Sequence, residues 1–345
     1  RAQLDRYVTL TAFDGNTTLL QAYVQYQYRI SEQLAFTVGL HDQYLTLNGS
    51  NAIEPRAGLK YAINDVNSVS FGYGLHSMMA PISTYFKTEE VMPGVYITPN
   101  DSLDFIKAHH IVLGYDRQLS PTMRFRSEVY YQQLFDVLID RDSSSYSILN
   151  TGSLTFGSPD FLVNQGTGKN YGAEVTLEKF LDKGLYFLFT GSLYQSAYIA
   201  SDDIERQTAF SGNYVVNFVG GKEFTLFADR TGQKTKKSIV FDTKLTLAGG
   251  QRYTPIDLEA SILAGETEYD WDRAFEEQFK DYFRWDMRLA FKMDGKHTSQ
   301  EWAFDVQNIT NRQNPLYQRY NPVNQQVNTI YQLGVFPVPQ YRITF

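Results

Sequence analysis

The sequence predicts an all-β protein: an antiparallel transmembrane β-barrel, with about fourteen strands in this chain of roughly 9 to 15 residues each. Three observations carry that expectation. Apolar and polar side chains alternate with a period of two over long stretches. Short turns alternate with long polar connections. The composition is rich in aromatics yet polar on average.

Composition sets the outer bounds. The 345 residues include 25 Tyr and 24 Phe, no cysteine, and a formal net charge of -7. Aromatics make up 15% while mean hydropathy stays on the polar side. That mixture suits a sheet that is greasy on one face and wet on the other. No apolar run approaches the roughly 20 residues of a membrane helix. A chain that crosses a membrane without such a helix must close a barrel, because only closure satisfies every backbone group in lipid. The acidic balance argues against a nucleic-acid partner, since phosphate recognition concentrates Lys and Arg. The lack of cysteine removes disulfide frameworks and thiolate metal sites. No leader pattern stands at Arg1, and the expectation is a portion of a longer chain.

The alternation is clearest in two stretches. Between Leu20 and Ile30, one face reads Leu20, Ala22, Val24, Tyr26, Tyr28 and Ile30, and the other carries Gln21, Tyr23, Gln25, Gln27 and Arg29. Between Tyr282 and Met293, Phe283, Trp285, Met287, Leu289, Phe291 and Met293 oppose Arg284, Asp286, Arg288 and Lys292. Met123 to Phe135, Tyr171 to Leu181, Ser238 to Ala248 and Glu301 to Ile309 follow the same rule with more noise. Short connections at Ser31 to Gln33, Asn64 to Asn67, Leu119 to Pro121, Leu181 to Gly184 and Asp294 to Lys296 carry the Asn, Asp, Gly and Pro of tight turns. Long polar stretches run from Met79 to Phe105, Val137 to Gly168, Gln251 to Asp281 and Thr310 to Gln332. Short turns on one side and long loops on the other describe an outer-membrane barrel with its long loops outside the cell. Residues 1–345 read as one such domain, without a linker or an internal repeat.

The carboxyl end adds a signature. Tyr341, Ile343 and Phe345 put three apolar side chains on one face of the last strand. This resembles the signal that barrel-insertion machinery reads. Gln307-Asn308-Ile309-Thr310-Asn311-Arg312, Tyr331-Gln332-Leu333-Gly334 and the closing Tyr341-Arg342-Ile343-Thr344-Phe345 resemble the end of TonB-dependent outer-membrane receptors. Ile53-Glu54-Pro55-Arg56-Ala57-Gly58-Leu59-Lys60-Tyr61, Gly166-Thr167-Gly168-Lys169-Asn170-Tyr171-Gly172-Ala173-Glu174 and Gly249-Gly250-Gln251-Arg252-Tyr253-Thr254-Pro255 are similar to stretches of receptors that begin with a carboxypeptidase-regulatory-like domain. The resemblance implies a barrel of about 22 strands with a plugged lumen, of which this chain is the C-terminal part. It places the plug and the N-terminal domain before Arg1. It implies uptake of an unidentified nutrient into the periplasm, energised by the TonB complex through that absent part. Outer-membrane lipid, the insertion machinery, a surface lipoprotein and other outer-membrane subunits are the implied partners.

Candidate sites follow from the alternation. Tyr26, Tyr28, Tyr131, Trp285, Trp302 and Tyr341 lie on apolar faces and are candidates for the aromatic belts at the membrane interfaces. Gln25, Arg29, Arg124, Arg126, Glu128, Glu174, Arg284, Asp286, Arg288, Asp305 and Arg342 lie on the opposite faces. They belong in a wet lumen, because charge facing lipid at mid-depth costs ~2–4 kcal/mol. Tyr85, Phe86, Tyr269, Trp271, Tyr317 and Tyr320 fall in loops and are candidates for stacking on a ligand.

No catalytic, cofactor or metal site is expected. His109 and His110 are adjacent in a strand and point to opposite faces, while His41 and His76 lie near strand ends. Asp202 and Asp203, Glu89 and Glu90, and Glu276 and Glu277 sit in loops, without the fixed separation that acid/base pairs require. Ser143 to Ser145 lacks the setting of a nucleophile. The basic run Lys234-Thr235-Lys236-Lys237 reads as a solvated turn on the periplasmic side, with anionic headgroups as the alternative. Two other readings stay open: a complete fourteen-stranded porin-like channel, and a structural subunit of an outer-membrane complex.

Overall fold

Alternating Tyr, Phe, Val and Leu favour extended backbone, because their bulk packs across a pleated surface. The computed structural model describes residues 16–151, 159–226 and 235–345. Thirteen long antiparallel strands pair in chain order. They are β1 (Leu19–Arg29), β2 (Leu34–Leu45), β3 (Asn51–Asn64), β4 (Asn67–Met78), β5 (Ile106–Ser120), β6 (Met123–Asp140) and β7 (Leu162–Asp182). The sheet continues through β8 (Leu185–Ile199), β9 (Tyr214–Leu226), β10 (Lys236–Ala248), β11 (Tyr282–Asp294), β12 (Ser299–Gln307) and β13 (Phe336–Thr344). A short strand at Glu205–Gln207 pairs with the end of β8 and brings the sheet to fourteen. Among the described residues, β1 pairs with β2 and β13 with β12.

The turns follow their chemistry. Asn64 Oδ1 accepts from Val66 N and Asn67 N at 3.1 and 2.9 Å, closing the β3–β4 turn. Between β7 and β8 the turn needs two residues with positive φ, and Lys183 (49°) and Gly184 (78°) supply them. The opposite end of the sheet carries the long connections 79–105, 200–213, 249–281 and 308–335, and the described parts of the β6–β7 connection, 141–151 and 159–161.

Two boundaries differ from expectation. The predicted loop from Val137 to Gly168 is shorter, because β6 continues to Asp140 and β7 starts at Leu162. The register slips between Leu134 and Leu138, where Asp136 takes a φ of 54°, and this break hides the continuing strand from a period-two pattern. The basic run is also not a turn throughout: Lys236 and Lys237 open β10, with Lys236 Nζ 3.0 Å from Glu223, while Lys234 lies outside the described residues.

The apolar core sits at the long-loop end. Leu45, Tyr85, Phe105, Val137, Leu138 and Leu162 are sealed there, drawn from strand ends and from the 79–105 connection. Asn100, fully buried, ties that connection to the start of β7 by accepting from Leu162 N at 2.9 Å and donating to Asp160 O at 3.1 Å.

Candidate functional site

Register decides which side chains share a face. Cross-strand partners stand side by side, and one parity can be followed from β1 to β13 without a break in side. Gln25, Arg29, Arg124, Arg126, Glu128, Glu174, Arg284, Asp286, Arg288, Asp305 and Arg342 all fall on the same face. Tyr26, Tyr28, Tyr131, Trp285, Trp302, Tyr341 and Ile343 fall on the other. Phe345 follows the last strand and is 91% exposed.

Several charges on the polar face are tied into networks. Arg288 reaches Glu301 at 2.5 Å, Asp305 at 3.0 Å and Asp242 at 3.6 Å, across three strands. Asp116 receives Arg124 and, at 3.5 Å, Arg126. Arg284 pairs with Asp286 at 2.7 Å. Near the long-loop end, Glu54 is 1% exposed and accepts from Gln43 and Arg56 at 2.6 Å each and from Ser77 N at 2.8 Å, with His41 Nδ1 at 2.9 Å. A buried carboxylate with this many donors locks β2, β3 and β4 together, because leaving any of them unpaired is costly.

On the apolar face the aromatics form two groups. Tyr26 and Tyr28 near the end of β1, and Trp302 and Tyr341 with rings 5.4 Å apart, lie toward the short turns. Trp285 lies toward the long loops and donates to Thr243 Oγ1 at 2.8 Å. Tyr131 donates to Gln133 at 2.7 Å.

The loop aromatics divide. Tyr85 (0% exposed) and Phe86 (7%) are packed into the loop core, and Tyr320 (6%) is covered as its backbone N–H donates to Thr267. Stacking of these three on a ligand is therefore corrected: the connections fold back and pack on their own rings. Tyr269 and Trp271, 5.5 Å apart, and Tyr317 remain exposed. Burial pushes the phenol of Tyr85 up, and that of Tyr146 in the 141–161 connection up to about 12.

The histidines and carboxylates have other partners. His76 and His110 lie with ring centroids 4.6 Å apart on the polar face. His109 points to the other face, with Nδ1 3.1 Å from Tyr73 Oη. Among the described residues no group of three or more His, Cys, Asp or Glu is placed to hold a metal. Asp202 is paired with Arg206 at 2.7 Å, and Arg273 holds both Glu276 and Glu277. Glu90 accepts from Gly94 N at 2.7 Å, as a turn residue does.

A cavity of about 530 Å³ opens on the polar face of β5 to β8, beside Leu149 and the Thr208 and Phe210 side of the 200–213 connection. Glu128, Glu174, Tyr130, Tyr194, Gln132 and Asn170 line much of it. Sequence reasoning placed the two Glu side chains on this face but missed Tyr130 and Tyr194. Their parity was the available signal: Tyr130 falls in step with Arg126, Glu128 and Gln132.

Comparisons with known proteins agree with this architecture. No curated protein matches the sequence. The outer membrane transporter YddB from Escherichia coli superposes with a TM-score of 0.60 at 12% identity, over 94% of this chain and 45% of that one. The ferric-catecholate import receptor Fiu from E. coli gives 0.63 at 10% identity, over 95% and 45%. The ferric yersiniabactin uptake receptor FyuA from Yersinia pestis gives 0.62 at 12% identity, over 95% and 46%. The chain thus spans under half the length of each. Residues 3–311 match the family described as TonB dependent receptor-like, beta-barrel. With the register, the alternating loops and that match in hand, the chain belongs to the β-barrel family of TonB-dependent receptors of the outer membrane.

Proposed function

We propose that this chain belongs to a receptor that binds a nutrient at its long-loop end and passes it along the polar face into the periplasm. The observation that supports this most is the unbroken parity of the sheet. One side holds Leu289, Phe291, Phe304 and Trp302, and the other holds the Arg288 and Asp116 networks. Such a wall belongs between lipid and water, because each charge turned to lipid at mid-depth costs ~2–4 kcal/mol. In this reading Tyr26, Tyr28, Trp302 and Tyr341 anchor one interface, and Tyr131 and Trp285 the other. Tyr341, Ile343 and Phe345 address the insertion machinery. The TonB complex energises transport, and a surface lipoprotein or other outer-membrane subunit is a candidate partner at the exposed loops.

The absence of cysteine makes a direct test simple. Single cysteines at Ile239, Leu289 and Phe304 should, once spin-labelled in outer membranes, be reached by oxygen dissolved in lipid. Those at Asp242, Thr190 and Arg126 should be reached by a water-soluble relaxation agent. Cells that use the receptor for uptake should lose it when TonB is deleted. Uptake that persists without TonB, or accessibility that ignores parity, refutes the reading.

A further inference from the structure

The cavity on β5 to β8 is built in rows. Across β6, β7 and β8 the register aligns Glu128, Glu174 and Ser192 in one row, Tyr130, Gly172 and Tyr194 in the next, and Gln132, Asn170 and Ser196 above it. Gly172 therefore leaves a gap between two tyrosines whose strands stand roughly 10 Å apart. Tyr130 leans into that gap: a Cβ on Gly172 would lie 2.7 Å from its Oη and 2.9 Å from its Cζ, and 2.6 Å from the backbone O of Leu193. Both the Tyr130 ring and the Leu193 carbonyl thus occupy space that a side chain at 172 would need. Tyr194 leans toward the loop end, donating to Phe210 O at 3.3 Å. Gly168 leaves a similar gap nearer the loops, where a Cβ would meet Leu149 Cδ1 at 2.8 Å. Of the stretch Gly166 to Glu174 singled out in the sequence, Asn170 and Glu174 line the cavity, on either side of Gly172.

The lining has a definite chemistry. Two tyrosine rings and Phe210 supply apolar surface, while Gln132, Asn170, Ser196 and Thr208 supply amides and hydroxyls. Among the described residues no Lys, Arg or His lines it, so a multiply anionic ligand would find no countercharge. Each carboxylate has a polar neighbour of its own. Glu128 has the Arg126 guanidinium at 4.0 Å, and Glu174 accepts from Ser192 Oγ at 3.4 Å. They act as hydrogen-bond acceptors facing each other across one strand pair, with the flat ring of Tyr130 beside them. Ring faces flanked by carboxylates and amides match a ligand that has an apolar ring face and an equatorial fringe of hydroxyls.

We propose that this cavity binds a neutral oligosaccharide, with one sugar ring seated on Tyr130 above Gly172 and its hydroxyls donated to Glu128 and Glu174. The proposal rests on the uptake reading and specifies its substrate class. The test uses the whole receptor in detergent, its barrel checked by heat-modifiable gel migration. The probes are an array of neutral hexose, pentose and deoxyhexose oligosaccharides, with trilysine and ferric citrate titrated in parallel. At least one saccharide should bind. Tyr130→Ala and Tyr194→Ala should each weaken it roughly tenfold or more, the loss typical of a central aromatic contact. Tyr130→Phe should bind within about threefold of the parent, since the ring face is kept. Gly172→Val should abolish binding in a barrel that still migrates as folded. The proposal is overturned if no saccharide binds the folded receptor, or if saccharide binding survives Tyr130→Ala and Gly172→Val. Trilysine or ferric citrate binding that Gly172→Val abolishes overturns it too. None of those results touches the uptake reading, which is decided by whether uptake into cells requires TonB.

Discussion

In the wall of this molecule Leu289 and Phe304 keep 57% and 51% of their surface open, whereas at the loop end Tyr85, Phe105 and Val137 keep 1% or less. Both regions are rich in apolar residues, yet they use them in opposite ways. The wall sends its large side chains outward and closes its polar face with ion pairs. Its one buried apolar cluster among the described residues is Val240, Ala290 and Ala303, small residues on the polar face beneath the Arg288 network. The loop end packs as a soluble domain does, with aromatic and aliphatic side chains from the strand ends and from the 79–105 and 141–161 connections meeting in one cluster. The difference follows from the solvent. A wall in lipid gains nothing by hiding its apolar face, while loops in water must bury theirs.

The largest effect that sharpens this contrast is expected in the loop core. Phe105 is 1% exposed, and Phe105→Ala should cost about 3–5 kcal/mol of local stability, as buried aromatic truncations do. The loss should appear as faster hydrogen exchange and proteolysis in residues 79–105 and 141–161, with the β9 to β13 wall unchanged. If the whole barrel melts earlier in one step, the two regions are not separate cooperative units and the comparison fails.

Next comes the wall. Leu289 stands midway along β11 on the apolar face, and Leu289→Arg should destabilise the barrel by ~2–4 kcal/mol in lipid. Thr190→Arg, midway along β8 on the polar face, should cost far less. Equilibrium urea unfolding in liposomes measures both. Equal costs would show that the two faces meet the same solvent.

How much of this was legible in the sequence depends on which rule governed each residue. Strands such as β1 and β11 were readable to within a residue or two, because alternation is a local signal and each residue's face follows from parity alone. The extension of β6 was not, since Val137 and Leu138 are both buried on either side of a register slip and so break the alternation. Tyr85 and Phe86 were misread as ligand contacts for a different reason. Their burial is set by Leu45, Leu103, Phe105 and Leu162, residues far away in sequence that no local pattern connects. The pairing of Tyr130 with Gly172 was hidden in the same way, because a glycine's meaning in a strand depends on what its cross-strand neighbour places over it.

The smallest effect is expected in the 249–281 connection, which holds nine acidic and three basic residues. Arg273 there binds Glu276 at 2.6 Å and Glu277 at 2.8 Å, and those two carboxylates hold its guanidinium above its ordinary range. The raised value means that the guanidinium stays charged through any pH at which the protein is handled. Even so, all three side chains stand in water, where an ion pair gains little over hydration and is screened by salt. Arg273→Ala should therefore leave the melting temperature of the folded barrel unchanged within measurement error at physiological salt. A small drop should emerge only at low ionic strength, where the unmatched carboxylates of the connection repel one another. A large, salt-independent drop would mean that this exposed connection, like the buried one at 79–105, is held by packing, and the line drawn between wall, core and surface loop would have to move.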